Sequence, residues 1–274
     1  MLSDNVAMQS PAEVREHDVR LPSGIRLHYI EQGPASGPAI LLLHGYTDSS
    51  GSWGLVMPLL PPEMRVVALD QRGHGFSDRP EGAYTVDDFA TDALEAMDAL
   101  QIASATVVGH SMGSFVARRV AERAPDRVSH LVLLGSAPTA DNAAVREVLQ
   151  AVNALKDPVD PAFVREFQLS TAAKPVPPDF MAARIVNSQN MPAHVWKSAL
   201  GSLVGYRPSA AITCPTLVIG GDADSVFSKE EQAALAREIP GAVLDLEPGI
   251  GHALNWEDPD RFVASLLRFL GAKS

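Results

Sequence analysis

Cysteine is almost absent from this sequence. Cys214 is the single cysteine among 274 residues, so the chain cannot form an internal disulfide. The same count excludes the Cys-x-x-Cys pairs of structural zinc and redox sites. The His-Glu-x-x-His pattern of zinc hydrolases and the glycine patterns that bind nucleotide phosphates are missing as well. We therefore expect neither a metal nor a cofactor.

Positive charge and long apolar runs are also scarce. Lys and Arg total 22 against 33 Asp and Glu, which gives a net charge of −11 and disfavours contact with nucleic acids and acidic membranes. Apolar runs such as Ala39–Leu43 are far shorter than the roughly 20 residues that span a bilayer. The polar N-terminal segment up to Asp18 lacks the apolar stretch of an export signal. We expect a soluble, cytoplasmic protein, and the sequence leaves its oligomeric state open.

Strand-like and helix-like segments alternate along most of the chain. Short runs rich in Val, Ile and Leu are typical of strands in a parallel sheet covered by helices, and the alternation predicts an α/β fold with a mostly parallel central sheet flanked by helices. The predicted strands are Ile25–Glu31, Ala39–Leu43, Arg65–Leu69, Ala105–Val108, His130–Leu134 and Thr216–Ile219, with a further apolar run at Val243–Leu246. The predicted helices are Val86–Leu100, Ser111–Arg123, Lys229–Arg237 and Pro259–Leu270.

One interval interrupts this alternation. About 80 residues separate the strand near Leu134 from the strand near Thr216, too many for a simple crossover. Several helical patterns within it predict that residues 139–205 form a helical cap, inserted between a first core segment (1–138) and a second (206–274). Large apolar side chains of the insert either pack its helices together or line a substrate pocket. They are Phe163, Phe167, Phe180, Met181, Met191 and Trp196.

The pentapeptide Gly109–Gly113 (GHSMG) is the most informative motif. It follows a predicted strand and precedes a predicted helix, which is the context of a nucleophile elbow, a tight turn that holds a serine hydroxyl clear of the backbone. Glycines are needed on both sides of the serine because strand and helix cross closely there. Ser111 is therefore the candidate nucleophile.

A serine hydroxyl is a weak nucleophile at neutral pH, so Ser111 needs a base. His252 lies in a glycine-rich loop between a strand-like run and the last predicted helix, and such loops carry the functional groups of α/β sheets. His110 adjoins the serine but should point elsewhere at a sharp turn. His44 and His74 lie in His-Gly loops, where we expect hydrogen bonds to the backbone. His252 is therefore the candidate base.

The base in turn needs a buried carboxylate that orients the imidazole. Asp222 and Asp224 follow the strand that ends near Ile219, and Asp141 follows the preceding strand. Each aspartate could instead form a turn or cap a helix. Spacing alone does not choose among them.

Four motifs occur in order along the chain. They are His44-Gly45-Tyr46, the segment Asp70–Ser77 (DQRGHGFS), the elbow Gly109–Gly113, and Gly221-x-x-Asp224 followed by Gly251-His252. With these motifs the chain resembles the α/β-hydrolase fold family from about His17 to Leu270, and the order nucleophile, acid, base agrees with that of the family.

The resemblance implies specific roles for residues of this chain. It selects Asp224 as the acid that orients His252. It implies that the backbone N–H groups of Tyr46 and Met112 form an oxyanion hole. It also implies that residues 139–205 are the cap domain after the sixth strand and that residues 70–77 have a structural role.

Residues and resemblance together predict a serine hydrolase. Its substrate would be a small to medium, largely apolar carboxylic ester or lactone, cleaved through an acyl-enzyme intermediate, with Trp196, Phe163 and Met181 as candidate substrate-binding residues. Ser111 argues against epoxide hydrolases and dehalogenases, which resemble this pattern with aspartate at the elbow. Carbon–carbon bond hydrolases, perhydrolases and hydroxynitrile lyases with a serine elbow stay open, as does a non-catalytic ligand-binding homologue.

Overall fold

A central β-sheet organises the fold. A computed structural model describes residues 13–82 and 84–271, and within them eight strands pair in the order β1-β2-β4-β3-β5-β6-β7-β8. The strands are β1 (Arg15–Arg20), β2 (Arg26–Gln32), β3 (Ala39–Leu43), β4 (Arg65–Leu69), β5 (Ala105–His110), β6 (Val128–Leu134), β7 (Thr216–Gly221) and β8 (Val243–Glu247). The pairs β1–β2 and β2–β4 are antiparallel, and the other pairs are parallel. The predicted fold class is confirmed.

Helices cover the sheet. They are α1 (Val86–Ala99), α2 (Met112–Arg123), α3 (Ala143–Asn153), α4 (Pro161–Leu169), α5 (Pro178–Gln189), α6 (Ala193–Gly205), α7 (Lys229–Glu238), α8 (Leu254–Glu257) and α9 (Pro259–Phe269). Thr85 caps α1 by accepting a hydrogen bond from the N–H of Asp88, whose side chain accepts one from the N–H of Thr85. This reciprocal pair satisfies two N–H groups that the helix cannot satisfy internally.

Strand β1 was not among the predicted strands. Its six residues (REHDVR) are mostly charged and exposed, so no apolar pattern marks them. β1 lies at the edge of the sheet and is held by its pairing with β2. Charged side chains suit such an edge because they discourage pairing with another chain.

Two clusters of buried apolar side chains cover opposite faces of the sheet. Leu41 and Leu42 are neighbours in β3 but belong to different clusters, because successive strand residues point to opposite faces. The first cluster includes Phe115 of α2, and the second includes Phe262 of α9. The inner strands β3, β4, β5 and β7 are therefore buried on both faces, as their continuous apolar runs predict.

The long interval between β6 and β7 contains the four helices α3 to α6. Buried side chains of these helices, such as Val164 and Trp196, belong to the same apolar cluster as Phe115, so the helices share that core. The predicted division of the chain at residues 138/139 and 205/206 into core and cap domains stays a prediction.

Among the described residues, no helix combines the length and the apolar character needed to cross a membrane. The N-terminal segment that is predicted to lack an export signal lies, as far as residue 12, outside the described residues.

Strand and helix cross closely at the turn from β5 into α2. A Cβ atom on Gly109 would lie 2.1 Å from the carbonyl oxygen of Gly113, and one on Gly113 would lie 2.2 Å from that of Leu43. Ser111, between the two glycines, has φ 52° and ψ −120°, a conformation that costs a residue with a side chain about 1–3 kcal/mol. The surrounding packing therefore enforces the elbow.

Substituting Gly113 with alanine should destabilise the fold. The added methyl group would meet backbone atoms of β3, which cannot move aside, so Gly113→Ala should lower the free energy of unfolding by about 3 kcal/mol. Gly201→Ala is the matched control: Gly201 lies in α6 with open space around its Cα, so alanine should raise stability by about 0.5–1 kcal/mol. Denaturant unfolding measures both variants. An equal change in both would contradict the enforced crossing.

Candidate active site

Ser111 faces a cavity at the carboxyl edge of the parallel strands. The cavity has a volume of about 100 Å³, and Tyr46, Ser111 and His252 all line it. These residues follow β3, β5 and β8, and the loops after parallel strands meet at one edge of a sheet. Phe167 of α4 and Trp256 of α8 contribute to the apolar part of the wall. Most of the rest of it comes from the helices α3 and α6 and from the loop after β7. Its members are Val145, Val148, Leu200, Leu203, Val226 and Phe227.

His252 is paired with a buried carboxylate. Its Nδ1 lies 2.9 Å from Oδ2 of Asp224, and both residues are more than nine-tenths buried. A carboxylate accepts from Nδ1–H, so the hydrogen bond places the proton of the neutral imidazole on Nδ1 and leaves the lone pair on Nε2. That tautomer is the one a general base requires.

The environment of Asp224 keeps it ionised. Burial raises the pKa of this carboxyl, but the charge and hydrogen bond of His252 and the backbone N–H groups of Phe227 and Val226 outweigh burial and lower the pKa. Both N–H groups donate to Oδ1 at 3.0 and 2.7 Å, so Oδ2 stays free for His252. The backbone of the residues just after Asp224 therefore holds its carboxylate in place.

The two other candidate acids lie elsewhere. Asp222 is exposed and accepts a hydrogen bond from the N–H of Gly249 at 2.6 Å. Asp141 forms ion pairs with Arg146 and Arg207. The structure thus brings Asp224, and neither alternative, to His252.

Two hydrogen bonds and a nearby glycine help to position the loop that carries His252. The N–H of His252 donates to the carbonyl of Thr171 at 3.0 Å, and the carbonyl of His252 accepts from Nε2 of His110 at 3.1 Å. A Cβ atom on Gly135 would lie 3.1 Å from the imidazole. Gly135, after β6 with φ +55°, therefore leaves the space that the ring occupies.

Glu257 fixes the same loop and was missed from the sequence. Its carboxylate accepts hydrogen bonds from the N–H groups of Gly251 and Ala253 on one side and of Ala173 and Lys174 on the other, at 2.9–3.2 Å. One side chain therefore ties the histidine loop to the segment between α4 and α5. Because the N–H groups of Ala173 and Lys174 are 84 and 83 residues away along the chain, no sequence pattern marks this residue.

The predicted oxyanion donors lie on neighbouring segments. Met112 is the first residue of α2, and the first N–H groups of a helix have no partner within it. Tyr46 follows β3, and α2 touches the end of β3 at Gly113. The phenol of Tyr46 donates to the carbonyl of Trp196 at 2.7 Å, which ties this loop to α6.

Two other histidines form hydrogen bonds with backbone groups, as expected. Nδ1 of His44 lies 2.8 Å from the carbonyl of Gly45, and its Nε2 accepts from the N–H of Gln71. Nδ1 of His74 lies 2.8 Å from the carbonyl of Arg72. Burial lowers the pKa of both imidazoles to about 3, so both stay neutral and fit structural positions.

The predicted structural role of the loop after β4 fits its contacts. The carboxylate of Asp70 accepts from the N–H groups of Ser50 and Phe76, and its carbonyl accepts from the hydroxyl of Ser77. This side chain therefore joins its own loop to the segment after β3.

The three predicted substrate-binding residues lie in or against the apolar core. Trp196 is fully buried and packs edge-to-face against Phe163 and Tyr46. Met181 is also buried, in the apolar cluster that contains Trp196. Within the described part of the chain none of the three lines the cavity, whereas Phe167 and Trp256 do. Their role in substrate binding stays a prediction.

Comparisons with known proteins agree with this architecture. A family model described as alpha/beta hydrolase fold matches residues 38–182. Lipase LipV of Mycobacterium tuberculosis is 31% identical, with 91% of this chain and 99% of the lipase covered. A 2-(acetamidomethylene)succinate hydrolase of Mesorhizobium japonicum is 27% identical, with 90% and 92% covered. The enol-lactonase of Burkholderia xenovorans LB400 superposes with a TM-score of 0.76 at 25% identity, with 93% and 100% covered.

The family model spans more than half of the chain, and the relatives align over nearly its whole length. The chain therefore belongs to the alpha/beta hydrolase family and is an α/β-hydrolase enzyme.

Proposed function

We propose that this enzyme cleaves a carboxylic ester or lactone through an acyl-enzyme intermediate on Ser111. The observation that carries the proposal is the shared cavity: Ser111 on its strained elbow and His252, paired with Asp224, line one apolar space. The names of two relatives, a lipase and an enol-lactonase, support this reaction class.

In the first half of the reaction, Oγ of Ser111 attacks the carbonyl carbon of the substrate. Nε2 of His252 takes the serine proton, and Asp224 stabilises the imidazolium that forms. The N–H groups of Tyr46 and Met112 donate to the negatively charged oxygen of the tetrahedral intermediate. The carbon–oxygen bond to the leaving group then breaks, and His252 protonates the departing alkoxide.

In the second half, water attacks the acyl-enzyme. His252 removes a proton from this water, a second tetrahedral intermediate forms in the same oxyanion hole, and its collapse returns the proton to Ser111. The acid leaves, and the enzyme is restored without any other reactant. A lactone follows the same steps, with the leaving alkoxide still attached to the acyl group.

The cavity suits a short acyl chain. Its volume of about 100 Å³ is below the roughly 150 Å³ of a cavity that binds benzene. The wall of Val, Leu and Phe side chains favours hydrocarbon. Longer substrates would need the helices α3 and α6 to move apart.

A panel of p-nitrophenyl esters from acetate to decanoate, run beside simple lactones, tests this function. We expect kcat/KM to be greatest for acyl chains of two to four carbons. Ser111→Ala should lower turnover by about 10⁶-fold, because the nucleophile is lost. Circular dichroism of the variant checks that it folds. Turnover that survives in folded Ser111→Ala protein would contradict the assignment of Ser111.

A pair of isosteric variants tests the choice of acid. Asp224→Asn should lower kcat by about 10³–10⁴-fold, since the amide no longer holds His252 in the reactive tautomer. Asp222→Asn removes a carboxylate two residues away that contacts Gly249 instead and should change kcat less than about tenfold. Both are measured with the best ester of the panel. The reverse order of effects would exclude Asp224 as the acid.

A further inference from the structure

Part of the cavity wall is polar and has no role in the reaction described above. Asp48, His110 and Gln168 line the cavity together with Ser111 and His252, and each of the three is at least 97% buried. Here they are called the polar corner. Buried polar groups are retained at a cost unless a partner satisfies them. Gln168 donates hydrogen bonds to the hydroxyl groups of Ser188 and Thr47, so Asp48 and His110 are the two that need an explanation.

His110 presents an unsatisfied acceptor. Its Nε2 contacts the carbonyl of His252 at 3.1 Å, and since a carbonyl only accepts, Nε2 carries the proton. Burial, together with the nearby His252, lowers the pKa of His110 to about 3, so the ring is neutral and Nδ1 holds a lone pair. Within the part of the chain that the structure describes, this buried Nδ1 has no hydrogen-bond partner.

Asp48 is a buried carboxyl group that makes only a weak hydrogen bond. Its Oδ1 lies 3.4 Å from Nε2 of Gln168, a long contact. Burial raises the pKa of Asp48 to about 7, against the opposing effects of Arg184, Gln168 and His252. The charged or titratable groups that face it are Arg184 of α5, His252 after β8 and His110 at the end of β5. The carboxyl therefore carries a proton below about pH 7.

Asp48 and His110 both lie close to Gly45. An ideal Cβ on Gly45 would lie 3.0 Å from Nδ1 of His110 and 3.1 Å from Oδ2 of Asp48, so the two atoms are at most about 6 Å apart. One oxygen atom can span such a gap with two hydrogen bonds of about 2.8–3.0 Å. A side chain at position 45 would crowd both atoms, and glycine avoids this.

A hydroxyl group could accept one hydrogen bond and donate another between Asp48 and His110. Protonated Asp48 can donate to the hydroxyl oxygen, and the hydroxyl proton can be donated to Nδ1 of His110. Each of the three groups then has a partner. An ether or a methylene group would leave Nδ1 unsatisfied, which is the situation that gives a site selectivity for a hydroxyl.

We propose that Asp48 and His110 form a subsite for a hydroxyl group of the substrate, so that the enzyme prefers esters or lactones that carry a hydroxyl group over their deoxy counterparts. The proposal rests on the ester or lactone hydrolysis proposed above, and it places the polar corner beside an otherwise apolar pocket. Asp48 and His110 are specificity residues in this scheme, while Ser111 and His252 perform the reaction.

The experiment compares ethyl butyrate with ethyl 2-hydroxybutyrate, ethyl 3-hydroxybutyrate and 2-hydroxyethyl butyrate. We expect kcat/KM of the wild-type enzyme to be about tenfold higher for at least one hydroxylated ester, and the preferred ester shows which part of the substrate carries the hydroxyl. The preference should decline as the pH rises through about 7, because ionised Asp48 no longer donates. Equal kcat/KM for all four esters, the result if water alone fills the gap, would overturn the proposal.

Two variants at one position separate the hydrogen bond from the ionisation. Asp48→Leu should abolish the preference. Asp48→Asn should keep the preference for the hydroxylated ester but remove its dependence on pH, because the amide donates at every pH. The Asp48→Asn measurement tests the proposal even if Asp48→Leu does not fold. Asp179→Asn, which removes an exposed carboxylate of α5, is the matched control and should behave as wild type. A preference that persists unchanged in folded Asp48→Leu protein would overturn the proposal.

Binding to inactive protein separates this proposal from the proposed function. Titration calorimetry of Ser111→Ala protein with the same four esters measures affinity without turnover. If no ester is hydrolysed by the wild type, the proposed reaction fails, and the subsite is judged by affinity alone. Tighter binding of a hydroxylated ester, lost in the double variant with Asp48→Leu, would support it, and equal affinity would reject it.

Discussion

The close crossing of β5 and α2 is the constraint on which the site depends. Gly109 and Gly113 allow backbone to touch backbone, and the contact holds Ser111 in a conformation that L-residues rarely adopt. The same contact brings the first N–H groups of α2 beside the end of β3. The positions of the proposed nucleophile and of the proposed oxyanion donor Met112 are thus set by packing between main-chain atoms, which tolerates little movement.

The histidine is positioned by a different principle. Its loop has little regular structure, and hydrogen bonds from distant segments fix it instead: Asp224 after β7, Thr171 between α4 and α5, and the carboxylate of Glu257. These segments also connect the sheet with the four helices α3 to α6. The geometry of the proposed base is therefore coupled to the placement of those helices, of which α3, α4 and α6 contribute to the cavity wall.

Local features of the site could be predicted from the sequence, because they have local causes. The elbow is marked by its glycines, and the strands by continuous apolar runs. By contrast, β1 depends on pairing with β2 and has no apolar pattern of its own. Asp48 and Glu257 have partners distant along the chain, so their positions required the structure. Trp196 has the character of a pocket residue but lies in the core, since both locations favour large apolar side chains.

The central claim is that the elbow, the histidine loop and the two backbone N–H groups act on one reacting carbonyl. A crystal structure of the enzyme after reaction with diethyl p-nitrophenyl phosphate tests it most directly, because the phosphoryl group imitates the tetrahedral intermediate. The account predicts phosphorus bonded to Oγ of Ser111, with the phosphoryl oxygen about 2.7–3.1 Å from the nitrogen atoms of Tyr46 and Met112. An adduct on another residue, or a phosphoryl oxygen directed away from both nitrogen atoms, would contradict it.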